Sequence, residues 1–182
     1  MNIRIGTHRS RQLGITMVEQ LVALAVTAVA AGTVAPALDA FTQRRELEAA
    51  AALLRTDVHH ARSLAAARHM PVRLQVHSDT AGSCYIVHTG SAAECRCTGE
   101  GQSSCSGGAK VLRSAAFAAR GAVALRANVS SMLFDSSWGT VTPTGTLEMS
   151  NQRGQTLKLV VNVLGRVRQC TTTPSISHVS AC

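Results

Sequence analysis

The chain has 182 residues, which leaves room for one domain beyond whatever the N-terminus does. Aromatic residues make up 3% of it, so Ala, Val and Leu must fill the core with small side chains. Eighteen basic residues against ten acidic ones give a formal charge of +8; all but Lys110 and Lys158 of the basic residues are arginines. That balance suits polyanions or anionic lipid as well as plain solubility, and arginine in particular suits phosphate. No Gly-x-Ser-x-Gly, Walker loop, His-Glu-x-x-His or supported cysteine–histidine pair is present, so neither an enzyme nor a cofactor or metal is expected.

The first fourteen residues carry Arg4, Arg9 and Arg11, no acid, and end at Gly14. An apolar run follows, interrupted once by Glu19. Leu21 to Leu38 are uncharged and as a helix would span about 27 Å, close to the ~30 Å hydrocarbon core of a bilayer. An ordinary signal peptide would explain the basic start, with Ala28-Val29-Ala30 as its cut site. It leaves an acid at the head of the apolar segment and apolar residues beyond the cut. A plain anchor leaves Glu19 unexplained, because an intramembrane carboxylate is costly and normally has a partner.

Gly14-Ile15-Thr16-Met17-Val18-Glu19 resembles the prepilin peptidase site of type IV pilins and type II secretion pseudopilins. The resemblance implies a cut after Gly14, an N-methylated Ile15 as first mature residue, and Glu19 as the filament-assembly acid. The new amine on Ile15, or that of a neighbouring subunit, would neutralise Glu19. Removing the leader leaves a charge of +5. Pro36 falls where such pilins often carry a helix-bending proline.

From Asp39 to His69 the pattern is helical. Leu47, Ala51, Leu54, Val58, Ala61 and Ala65 recur at spacings of four and three and form one apolar stripe. Arg44, Arg45, Glu48, Arg55, Arg62 and Arg68 fall mostly off it. One helix of about 50 residues is expected, its second half laying one face on a globular body. His59 and His60, about 100° apart on that helix, do not chelate together.

After Met70-Pro71 the period becomes two. Val72, Leu74 and Val76 alternate with Arg73, Gln75 and His77. Further strands are expected at Tyr85–Val87, Val111–Arg113, Val123–Arg126, Ser131–Phe134, Thr146–Met149 and Leu157–Val163, separated by turn residues. The fold class is therefore α+β: a long N-terminal transmembrane helix packed on an antiparallel β-sheet domain. The expected divisions are a leader over 1–14, a membrane and assembly half-helix over 15–38, an amphipathic half over 39–70, and a periplasmic β-rich domain over 71–182.

Within the pilin-like superfamily, Ala61-Arg62-Ser63, Arg68, Pro71, Val72 and Leu74, then Phe134, Gly139, Thr142-Pro143, Gly145-Thr146 and Leu157 to Arg168, resemble the H-type minor pseudopilin and FimT family. Cys84 and the Gly/Ser-rich loop from Thr89 to Gly108, with Cys95, Cys97 and Cys105, suit disulfides in an oxidising compartment. The C-x-C spacing differs from the usual zinc pattern. Cys170 is expected to pair with Cys182, closing the tail, and the other four cysteines among themselves.

Gly165-Arg166-Val167-Arg168 puts two guanidinium forks on one side of an extended segment, a spacing suited to successive phosphates. It resembles the Gly-Arg-x-Arg motif of FimT-like minor pilins that bind DNA in natural transformation. That assigns Gly165, Arg166 and Arg168 to non-specific binding of double-stranded DNA, with Arg153 and Lys158 as candidate extensions of the basic surface. No aromatic residue interleaves with the motif, so base stacking is not expected. The function implied is a minor type IV pilin aiding pilus assembly and DNA uptake. The alternatives are a minor pseudopilin of a type II secretion filament and a membrane-tethered disulfide-rich binding domain. The implied partners are other pilins, the prepilin peptidase and the inner membrane.

Overall fold

The computed structural model describes residues 16–173, 176 and 179–182. Helix α1 runs Met17–Arg68 and contains Pro36. Thr16 starts it: its hydroxyl accepts the Glu19 backbone N–H at 3.2 Å, as an N-cap residue does. Glu19 then lies in the first turn, where the helix dipole favours an acid. The helix ends on His69, whose φ of 50° is the left-handed cap, and on the Met70-Pro71 pair that cannot continue it.

The chain divides into two compact units, residues 1–39 and 40–182. In the first, the apolar side chains from Met17 to Leu38 are exposed, and the Thr27 hydroxyl satisfies itself on the Ala23 and Leu24 carbonyls, both at 2.9 Å. Among the described residues, this is the one stretch long and apolar enough to cross a membrane.

In the second unit all six residues of the helical stripe, Leu47 to Ala65, are at most 1% exposed. They share one core with strands of two sheets. Strands β1 (Val72–Asp79), β2 (Gly82–Thr89), β5 (Val111–Ala118), β7 (Ser131–Phe134) and β8 (Val141–Thr142) form a five-stranded sheet in the order β5-β2-β1-β7-β8. Strands β6 (Val123–Ala127), β9 (Gly145–Asn151), β10 (Thr156–Val161) and β11 (Val167–Thr171) form a four-stranded sheet in the order β11-β10-β9-β6. Every pairing within them is antiparallel. Alternation sends Leu147, Met149, Leu157, Leu159 and Val161 inward, leaving Glu148, Lys158 and Val160 on the other face of the four-stranded sheet.

The helix is locked to the five-stranded sheet by a buried polar pair. The Tyr85 hydroxyl donates to Asp57 Oδ2 at 2.7 Å, and both residues are buried. Burial and then the Asp57 carboxylate push the phenol pKa up, so it remains a donor. The β1–β2 turn is held by Asp79 Oδ1, which accepts the Ala81 and Gly82 backbone N–H groups at 2.8 and 2.9 Å. Gly82 is required there, since a Cβ on it would lie 2.1 Å from the Phe117 carbonyl oxygen of β5.

Strand β2 is buried on both faces, because the cysteine loop covers its outer side. That loop, expected to be irregular, contains a small hairpin of its own: β3 (Cys95–Cys97) pairs with β4 (Ser103–Cys105). Disulfides Cys95–Cys105 across the hairpin and Cys84–Cys97 onto β2 hold it down. A third joins Cys170 to Cys182, beside a parallel bridge between Thr171 and Ala181.

Candidate functional site

Two regions carry the residues singled out in the sequence. At the N-terminus, Gly14 and Ile15 lie outside the described residues. Glu19 is exposed in the first turn of α1. The cap bond uses the Glu19 backbone N–H, and the Glu19 carboxylate adds a charge that the helix dipole favours in the first turn, besides the role the resemblance implies.

The second region is the turn between β10 and β11. Asn162 organises it. Its carbonyl accepts Gly165 N–H at 2.9 Å and its side-chain oxygen accepts Arg166 N–H at 2.9 Å. Gly165 has φ +67°, and a Cβ there would sit 2.8 Å from Arg62 Cδ on the helix and 3.3 Å from Val141 Cγ2 on β8. The turn thus needs glycine both for its backbone and for its close packing. Arg166 and Arg168 are exposed on either side of half-buried Val167. Among the described residues neither guanidinium is ion-paired.

The suggested extensions of the basic surface do not join them. The Lys158 ammonium lies 3.1 Å from Glu148 Oε2, so its charge is matched locally. Arg153 sits in the β9–β10 turn, at the opposite end of β10 from Arg166. Six residues of strand put roughly 20 Å between those ends. The structure also adds something the sequence hid. The Val141 N–H donates to the Val163 carbonyl at 2.8 Å, tying the β10–β11 turn to the strand that follows the loop bearing Trp138. Trp138 is distant in sequence and adjoins the turn only through this fold; it is 84% exposed.

Among the described residues no group of three or more His, Cys, Asp or Glu is placed to hold a metal. All six cysteines are in disulfides. His59 is exposed and His60 half-buried on the helix. The arrangement offers a helix suited to a membrane, a disulfide-braced β body and a basic turn.

An apolar helix whose second half is built into antiparallel sheets defines a pilin-like protein. The family described as type II transport protein GspH matches residues 50–165, nearly two thirds of the chain, and the chain belongs to that family. It is accordingly a structural subunit of the minor type IV pilin and type II pseudopilin class, non-enzymatic, and made to assemble with other pilins. Its single hydrophobic N-terminal helix is consistent with membrane anchoring of the pilin kind.

A crystal structure of the type IV minor pilin FimU of Pseudomonas aeruginosa is similar in fold, with a TM-score of 0.50 and 21% identity over 70% of this chain and 90% of that one. The minor pseudopilin EpsH from the type 2 secretion system of Vibrio cholerae aligns with a TM-score of 0.48 and 13% identity over 69% of this chain and 97% of that one. No curated protein matches the chain.

Proposed function

We propose that the chain is an H-type minor pseudopilin, a subunit of the periplasmic filament of a type II protein secretion system. The observation that carries this reading is the family match across residues 50–165, which spans the last two thirds of the amphipathic half-helix and most of the β body. In this reading a prepilin peptidase cuts after Gly14. The freed, methylated amine of Ile15 meets Glu19 of its own or a neighbouring chain, and the apolar helix holds the subunit in the inner membrane until it enters the filament. Glu19→Ala is expected to leave the disulfide-bonded body intact, abolish incorporation into the filament and stop exoprotein release, with DNA uptake unaffected. Secretion at the wild-type level by this variant, or a mature chain that does not begin at Ile15 by mass spectrometry, overturns the reading.

A second reading is favoured by one observation, the exposure of both Arg166 and Arg168 beside the Gly165 turn. It makes the protein a FimT-like minor type IV pilin that binds double-stranded DNA during natural transformation. Binding would be through phosphates, hence non-specific and steeply weakened by salt. Arg166→Gln with Arg168→Gln is expected to weaken retardation of duplex DNA at low salt without unfolding the body. The slope of log affinity against log salt should fall by about 0.9 for each phosphate that is no longer neutralised. Retardation unchanged by the double substitution counts against it.

A further inference from the structure

Residues 162–166 close the β10–β11 hairpin with a β-turn whose two central positions are Val163 and Leu164. Such positions normally take Gly, Pro, Asn, Asp or Ser. Here they take two aliphatic side chains, 50% and 48% exposed. A second tip shows the same anomaly. Between β7 and β8 the chain turns over Asp135, whose Oδ1 accepts the Ser137 and Trp138 N–H groups at 2.8 and 2.7 Å, and over Gly139 at φ +62°. At its apex stands Trp138, the only tryptophan of the chain.

The two tips are neighbours. The Val141 N–H to Val163 carbonyl bond of 2.8 Å joins their bases. Trp138 is three residues from Val141, so their Cα atoms are at most about 11 Å apart. All three apolar side chains therefore fit within the ~800 Å² that one partner covers in a standard protein interface. Each tip is braced by its own hydrogen bonds, so little conformational freedom is left to lose on binding. Trp138 and Arg166 are of the residue types that dominate interaction hot spots, and Val163 and Leu164 add apolar area beside them.

We infer that Trp138, Val163, Leu164 and Arg166 form a docking surface for the body of a different, acidic pilin subunit in the same filament. Charge decides against a second copy: residues 40–182 carry fifteen basic and eight acidic side chains, a net +7 that repels its own kind. The aliphatic pair decides against nucleic acid, whose phosphates and base faces give Val163 and Leu164 no apolar pocket to fill. The inference rests on the reading of the chain as a filament subunit and adds the face and the chemistry of its neighbour.

The test places photoreactive benzoylphenylalanine at position 138 of the full-length chain in inner membranes that also contain the full-length pilins of the same filament. Parallel chains carry it at position 153, at the far end of β10, and at position 24, in the apolar helix. An adduct from position 138 with an acidic pilin, none from position 153, and a yield lowered about tenfold or more by Leu164→Ser or Arg166→Glu support the surface, that loss being the scale of a hot-spot residue. Both substituted side chains are exposed, so the three disulfides and the melting temperature are expected to be unchanged, and a reduced yield then reports the docking itself. A second copy of the chain or nucleic acid as the adduct of position 138, or no adduct there while position 24 still links to another pilin, overturns the surface and leaves the filament reading standing. Silence at both positions overturns the filament reading as well.

Discussion

His77 and His88 sit on the outer face of the five-stranded sheet, beneath the cysteine loop. His88 is fully buried. Its Nδ1–H donates to the Thr89 carbonyl at 2.8 Å and its Nε2 meets the Gln75 side-chain oxygen at 2.9 Å, while the Gln75 amide donates to the Ala92 carbonyl in the loop at 2.8 Å. His77 has a buried Nε2 with no hydrogen-bond partner among the described residues. Burial lowers the pKa of His77, and Arg96 from the loop and His88 lower it further. For His88, burial again lowers it most; the Thr89 carbonyl and Glu94 oppose, and Arg73 assists. Folding thus disfavours the protonated form of His77, which binds a proton more readily once unfolded; both ring nitrogens of His88 face oxygen acceptors, so its geometry does not add to this effect. The contribution of His77 to stability is complete above the unfolded value of about 6.5 and is lost as pH falls from there through its lowered folded value. Urea unfolding between pH 8 and pH 5 is expected to show a falling midpoint, and His77→Gln a smaller fall. A His77→Gln profile superimposable on that of the parent chain rules this out.

Disulfides divide the elements into a braced loop and a braced tail. Cys84, Cys95 and Cys97 are buried at 1%, 0% and 7% exposure, whereas Cys182 is exposed and Cys170 half-buried. Thiolate attack needs access, so a mild reductant is expected to open Cys170–Cys182 first. The sequence separation of 12 implies a loss of about 3 kcal/mol in the chain-entropy view. Alkylation and mass spectrometry would find Cys170 and Cys182 labelled ahead of the other four; labels on Cys95 and Cys105 first contradict the assignment. The sequence made some elements legible and hid others for physical reasons. Leu47 to Ala65 repeat at helical spacing and Val72 to Val76 alternate, so periodicity alone marks both faces. The β3–β4 hairpin is written in Cys, Ser and Gly, which read as loop, and its strandness comes from cross-chain bonds rather than side-chain pattern. Strand β5 continues past Arg113 through Ser114–Ala118, where small residues give the alternation too little contrast. Arg153 and Arg166 look close in the chain because sequence distance does not say that a hairpin strand carries them to opposite ends. No periodic pattern or motif singles out Trp138 in the sequence, and only the fold shows it standing in solvent beside the Gly165 turn.

At the scale of the whole molecule, the helix belongs to two units, and the division after Asp39 separates residues by what surrounds them. The described apolar side chains from Met17 to Leu38 are exposed, and the stretch has the composition of a membrane span. Everything from Leu47 to Ala65 on the apolar stripe is part of the same core as Leu74, Tyr85, Leu147 and Leu159. A fragment of residues 40–182 therefore keeps its entire core and all six cysteines, and is expected to be soluble, to form the three disulfides and to unfold cooperatively. A fragment of residues 71–182 has every strand but lacks six fully buried helical side chains and the Asp57 carboxylate that receives the Tyr85 hydroxyl. Removing even one buried leucine side chain costs about 2–5 kcal/mol, against a total stability on the order of 5–15 kcal/mol for a domain. The shorter fragment is thus expected not to fold, whatever the state of its disulfides. Circular dichroism and thermal melts of the two fragments decide it. A cooperative transition in the shorter one would mean that the sheets do not depend on the helix, and that α1 is an attachment to the body rather than its central element.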